Sequence, residues 1–216
     1  MDKRTFVARS PFTLPQRPHR LSIIFVMPFI DTPLAGCKIF EPQIWKDDRG
    51  YFFESFNART FTDAGIERPF VQDNQAYSSY GVLRGLHYQR GAHAQAKLVR
   101  VIEGEVLDVV VDLRPESPTY GQSYSIRLSA DNQRQLYVPR HFAHGYAVLS
   151  PTALFFYKCD NYYHKAAEGG LHYADPALKI DWQLPHADVI LSPKDEILPR
   201  LGEHLWDEIT PVGENF

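Results

Sequence analysis

Two adjoining runs of β-favouring residues constrain this chain more than any other feature. Residues 97–103 read Lys-Leu-Val-Arg-Val-Ile-Glu and residues 106–113 read Val-Leu-Asp-Val-Val-Val-Asp-Leu, with Glu103-Gly104 at the junction. Branching at Cβ stiffens χ1 and favours the pleated strand. A glycine at so short a junction marks a tight turn. The second run is apolar almost throughout, as expected of a strand in the middle of a sandwich. Short strand-like segments recur at 37–40, 51–56, 70–77, 82–88, 123–128, 135–138, 146–149 and 153–159. Residues 58–64 read as a helix, with Asn57 as N-cap and Gly65 as stop. Ser192-Pro193 reads as another helix start, with proline at its first position. Many short strands and few helices predict an all-β antiparallel sandwich or barrel.

The chain of 216 residues carries 14 Phe, 12 Tyr and 3 Trp, enough to fill one sizeable core. The core domain is expected over 27–201, its strands beginning near Gly36. Residues 1–26 read differently. Lys3, Arg4, Arg9, Arg17 and Arg20 alternate with prolines, and an apolar run follows at 21–30. A leader ahead of a start at Met27 is the preferred reading; an extra arm and a secretory signal spoiled by Pro28 and Asp31 are the alternatives. Residues 202–216 read as a polar, loosely docked tail. A net charge of −3 excludes a globally basic nucleic-acid binder. No apolar run approaches the ~20 residues of a membrane span. Two cysteines, Cys37 and Cys159, exclude a disulfide scaffold and read as reduced, buried thiols of a cytoplasmic protein.

Phosphate-loop, dinucleotide-binding and nucleophile-elbow patterns are absent, as are Cys-x-x-Cys pairs. Polar chemistry sits inside the strands instead. Phe70-Val-Gln72-Asp73-Asn74-Gln75 sets four amide or acid side chains in a row. Val82-Leu-Arg84-Gly-Leu-His87-Tyr-Gln89 places Arg84 and His87 in one apolar strand. Counting by twos puts Leu83, Gly85, His87 and Gln89 on one face and Val82, Arg84, Leu86 and Tyr88 on the other. Lys97, Arg100, His141 and His144 follow. Taken singly, each has a bland explanation. A strand histidine is usually a hydrogen-bonded core residue, a lysine usually a snorkelling surface group, and an arginine usually a rim ion pair. Several together are harder to dismiss, because burying each is unfavourable unless something compensates it.

Residues 85–104 and 139–147 have the outline of the two cupin motifs. The metal-ligand positions hold His87, Gln89, Lys97 and His144. An ammonium cannot ligate a cation, so no catalytic metal is expected. The longer motifs are Asp48-Arg49-Gly50-Tyr-Phe-Phe-Glu54, Phe70-Val-Gln72-Asp73-Asn74, Gly81-Val-Leu-Arg84-Gly-Leu-His87-Tyr-Gln89 and Lys97-Leu-Val-Arg100. Ser117-Pro-Thr119, Ala143-His144-Gly145, Tyr157-Lys158 and Leu191-Ser-Pro-Lys194-Asp195 continue them in order. Over residues 37–201 the chain resembles the dTDP-4-dehydrorhamnose 3,5-epimerases, which are metal-free cupins. The resemblance implies a cupin-type jelly-roll β-sandwich, a homodimer, no cofactor, and a dTDP-linked 4-keto-6-deoxy-hexose as substrate. It implies His87 as base with Asp195 as its carboxylate, Tyr157 as proton donor, and Lys97 facing the C4 oxygen. It assigns substrate contacts to Arg49, Glu54, Gln72, Asn74, Arg84, His144, Glu168 and Lys194. The segment around His172-Tyr-Ala-Asp175 departs from the family pattern. Without the resemblance, Tyr157 reads as core packing and Asp195 as a first-turn helix carboxylate. Single-centre epimerases, a non-catalytic sugar-nucleotide-binding sandwich and a metal-dependent cupin oxygenase are the competing readings.

Overall fold

The computed structural model describes residues 28–205. The expected leader at 1–26 and most of the tail, 206–216, lie outside the described residues. A six-stranded sheet combines β1 (Phe29–Asp31), β2 (Lys38–Phe40), β10 (Gln135–Val138), β7 (Lys97–Glu103), β12 (Thr152–Cys159) and β5 (Gln72–Ser79) in that spatial order. A five-stranded sheet combines β13 (Glu168–Gly170), β6 (Leu83–Gln89), β11 (Phe142–Val148), β8 (Glu105–Asp112) and β9 (Ser123–Ser129). A separate hairpin pairs β3 (Trp45–Asp47) with β4 (Gly50–Phe52). The strand pairings within all three sheets are antiparallel. The result is the expected cupin-type jelly roll.

β8 shows why its run is continuously apolar. It lies between β11 and β9. Val106 and Val110 face the core between the sheets, beside Val99, Val101, Leu136 and Phe155. Leu107, Val109 and Val111 face the other way, under a layer built from Leu171, Leu178 and Trp182. Alternate residues therefore serve two apolar layers. Gly104 makes the expected turn into β8 with φ +80°; a Cβ there would come within 2.0 Å of the Thr152 carbonyl oxygen. The helix α1 (Ala58–Asp63) is capped as expected, the Arg59 amide donating to Asn57 Oδ1 at 3.0 Å. Its Phe61 packs with Phe40, Ile66 and Leu98 on the outer face of the six-stranded sheet.

Several expectations need correcting. The strand expected at 51–56 stops at Phe52, and β11 begins at Phe142, four residues earlier than expected. Its first turns of sequence, Phe-Ala-His-Gly, hide a strand because burial there is decided by neighbouring strands and not by alternation. The apolar run at 21–30 ends inside β1, which pairs with β2. The helix expected from Ser192 is a single 3₁₀ turn, Asp195–Ile197, ended by Leu198-Pro199. The start of the tail docks: Tyr88 Oη donates to the Leu205 carbonyl at 2.7 Å. Both cysteines are buried free thiols. Among the described residues no helix is long and apolar enough to cross a membrane.

Candidate active site

The sandwich opens into a cavity of about 450 Å³, walled by both sheets and by the segment that follows Val189. His87 from β6, His144 from β11, Lys97 from β7 and Tyr157 from β12 all line it, with Asp195 from the 3₁₀ turn. A smaller cavity of about 270 Å³ shares His87, Lys97 and Tyr157 and continues to Gln72, Asn74 and Glu168. The three shared side chains thus stand where the two lobes meet.

Strand counting had Arg84 and His87 on opposite faces, and this is wrong. Both line the larger cavity. His144 pairs with His87 and Tyr146 with Arg84, so three steps along β6 match two along β11. This β-bulge reverses the alternation and re-aims a side chain. Gly85 permits it, with φ +116°; a Cβ there would lie 2.7 Å from both Gly145 Cα and the His144 carbonyl oxygen.

His87 Nε2 and Asp195 Oδ1 are 2.6 Å apart, although the residues are 108 positions apart in the chain. Asp195 is buried, and its own amide donates to Ser192 Oγ at 3.2 Å. Burial pushes the Asp195 carboxyl up, but the hydrogen bond with His87, helped by Ser192 and Lys194, outweighs it and holds the group below its ordinary value. The carboxylate accepts from one ring nitrogen and leaves the other its lone pair. A second imidazole–carboxylate pair lies deeper: His144 Nε2 to Asp108 Oδ2, 2.9 Å. Burial raises the Asp108 carboxyl despite His144 and Lys97 nearby.

Lys97 is half-buried at the cavity wall, and burial lowers its pKa against the opposing pull of Cys159, Asp108 and Glu168. It makes no hydrogen bond with any described residue, and its Nζ sits 5.8 Å from the Tyr157 ring centroid. A cation at the cavity wall without a fixed partner is available to stabilise negative charge that develops beside it. Burial pushes the Tyr157 phenol up to about 12, so it stays protonated across the neutral range.

Around this centre, Glu168 pairs with Lys194 and accepts from Tyr163 Oη at 3.1 Å. Gln72 Nε2 donates to Asn74 Oδ1 at 3.1 Å, and Arg84 Nε donates to Ser78 Oγ at 3.2 Å. Ten of the twelve expected site residues therefore line one or other lobe. Arg49 and Glu54 do not. Arg49 is exposed on the β3–β4 hairpin, paired with Asp47, and Glu54 accepts from Asn57. Sequence reading missed Asp108, Tyr146 and Tyr163. Asp108 had a signal, an acid at an inward position with apolar residues on both sides.

One cavity thus brings together an imidazole held by a carboxylate, a lysine cation and a phenol that stays protonated. Fold and site together define a jelly-roll carbon-acid isomerase. The family model described as dTDP-4-dehydrorhamnose 3,5-epimerase matches residues 31–203. The dTDP-4-dehydrorhamnose 3,5-epimerase of Salmonella typhimurium is 48% identical over 187 residues, covering 85% of this chain and 100% of its own. The crystal structure of the Elizabethkingia anophelis enzyme of that name has 54% identity and a TM-score of 0.78, covering 81% and 96% of the two chains. A Legionella pneumophila 3,5-epimerase, solved in complex with dTDP-4-keto-L-rhamnose, has 49% identity and a TM-score of 0.74, covering 80% and 97%. The chain belongs to the dTDP-4-dehydrorhamnose 3,5-epimerase family.

Proposed function

We propose that the chain carries out its family's reaction, epimerisation at C3 and C5 of dTDP-4-dehydro-6-deoxy-D-glucose to dTDP-4-dehydro-L-rhamnose, through an enolate made and quenched by its own side chains. The observation that carries this is the 2.6 Å His87–Asp195 pair sharing one cavity with Lys97 and Tyr157. The C4 ketone acidifies the C–H bonds at C3 and C5. His87 takes the proton, and the electron pair of the broken bond moves onto the C4 oxygen. Asp195 stabilises the imidazolium that forms. Lys97 stabilises the oxyanion, more in the transition state than in the ground state. Tyr157 delivers a proton to the opposite face, and the C=O bond re-forms. Each step uses only groups that exchange protons, so no cofactor is invoked.

Arg84, His144, Gln72, Asn74, Glu168 and Lys194 hold the nucleotide sugar in this reading. Arg49 and Glu54 serve a neighbour's cavity in a homodimer. The hairpin that carries Arg49 supports this: it is an isolated two-stranded ribbon, marginal in water, with Trp45, Tyr51 and Phe52 all exposed. The two buried thiols fit a reducing, cytoplasmic setting. The test is incubation with dTDP-4-dehydro-6-deoxy-D-glucose, an L-rhamnose-forming reductase and NADPH. NADPH consumption with an L-rhamno product by NMR supports the reading; no consumption, or a product inverted at one centre only, overturns it.

A further inference from the structure

Residues 161–164 follow β12 and belong to no helix or strand. A segment without a ladder must find partners for its backbone groups elsewhere. Here three glutamine side chains supply them. Gln95 Nε2 donates to the Asn161 carbonyl at 2.8 Å, the Tyr163 amide donates to Gln72 Oε1 at 3.1 Å, and the His164 amide donates to Gln89 Oε1 at 2.8 Å. The backbone itself fixes these orientations, because an N–H only donates and a carbonyl only accepts. Gln72 opens β5, Gln89 closes β6 and Gln95 lies two residues ahead of β7, so both sheets take hold of one loop. The loop has two further ties to the chain ahead of Gln95. Asn161 Nδ2 donates to the Ala92 carbonyl at 3.0 Å, and the His164 ring stacks on that of His93 at 4.1 Å and 15°.

Gln89 and Gln95 are only 6% and 9% exposed, and both line the small lobe beside His87, Lys97 and Tyr157. Buried amides are unfavourable unless hydrogen-bonded, and these two are bonded to the loop. What the loop presents to the same lobe is Tyr163, whose ring lines it and whose hydroxyl donates to Glu168. We propose that Gln89 and Gln95 are positioning residues that clamp the backbone of 161–164, so that Tyr163 stands as a fixed wall of the small lobe before the ligand arrives. This rests on the reading of the cavity as a nucleotide-sugar site. A wall ordered in advance leaves less conformational entropy to be lost on binding, and keeps the binding-competent form fully populated.

The variant Gln89→Met keeps an unbranched side chain of similar length and removes the acceptor of the His164 amide. Hydrogen–deuterium exchange read by mass spectrometry should show the peptide spanning residues 160–168 exchanging faster than in wild type, with the β8 peptide unchanged. Saturating dTDP should slow it back towards the wild-type rate. Calorimetric titration should show dTDP affinity weakened about 3- to 10-fold, the loss of one hydrogen bond that holds the competent form. kcat/KM should fall by a similar factor through KM, with kcat within about twofold of wild type. Gln95→Met removes the donor to Asn161 and should do the same; it carries the test if Gln89→Met does not fold. Faster exchange with dTDP affinity and KM unchanged overturns the proposal, since the loop then serves no ligand. Weaker dTDP binding with exchange unchanged overturns it too, because the glutamine would then touch the ligand itself. So does a fall in kcat with dTDP affinity intact. If the unmodified chain does not bind dTDP, the functional reading fails and the proposal with it; the ratio of variant to wild type separates failure of the proposal alone.

Discussion

Replacing Lys97 by methionine removes the half-buried ammonium while keeping an unbranched side chain of similar length. Two magnitudes follow. A unit charge about 3 Å from a developing oxyanion is worth at most about 5.5 kcal/mol at an effective dielectric near 20. Oxyanion-stabilising donors measured by mutation contribute roughly 3–4 kcal/mol. kcat should therefore fall about 10²- to 10³-fold. KM should change little, because the charge being stabilised exists only in the transition state. Stability should move the other way. Burial lowers the Lys97 pKa in the fold below the 10.5 of an exposed lysine, so the unfolded chain binds the proton more tightly. Wherever the pH lies below the depressed folded value, the charged lysine subtracts from folding stability. That penalty disappears as pH rises through the window from the depressed folded value to 10.5. Lys97→Met should accordingly be at least as stable as wild type at pH 7. Wild-type kcat should decline on the alkaline side before pH 10.5 as the ammonium is lost. The coupled reductase assay gives kcat and KM, and thermal melts at pH 7 give stability. A variant within threefold of wild-type kcat, or one inactive only because it has unfolded, would refute the reasoning.

Two further substitutions test other parts of the site. Tyr157→Phe keeps the aromatic wall but removes the proton donor; exchange at C3 should survive better than chemistry at C5, and equal losses at both carbons, read by NMR, would count against a one-sided role. Gly85→Ala puts a Cβ 2.7 Å from the backbone of Gly145 and His144 at a φ of +116°, so the β6 bulge must shift. Strain of this kind is worth about 2–3 kcal/mol, a fall of roughly 5–10 °C in thermal midpoint for a domain of this size. An unchanged melt would show that the bulge does not depend on glycine there.

Much of this molecule was legible in its sequence, and the limits are instructive. The run after Gly104 declared itself because burial on both faces demands nearly unbroken apolar sequence. Asn57 and Gly65 declared α1 through local capping chemistry. The site was harder, since His87 and Asp195 meet only through the fold. Their pairing came from the resemblance and not from spacing. Strand alternation misplaced Arg84, because a one-residue bulge leaves no mark in a period-two count beyond the glycine that permits it. Tyr146 carried no signal at all. In sequence it is one more aromatic in a core strand, and only its position opposite Arg84 in the cavity wall separates it from packing.

The decisive measurement is solvent deuterium exchange into C3 and C5 of the 4-keto sugar, followed by NMR without the reductase. Wild type should incorporate deuterium at both carbons, and His87→Ala, which removes the imidazole held by Asp195, should incorporate none at either. Exchange at the wild-type rate in that variant would mean that some other group removes the proton, and the chemistry assigned to this cavity would be wrong.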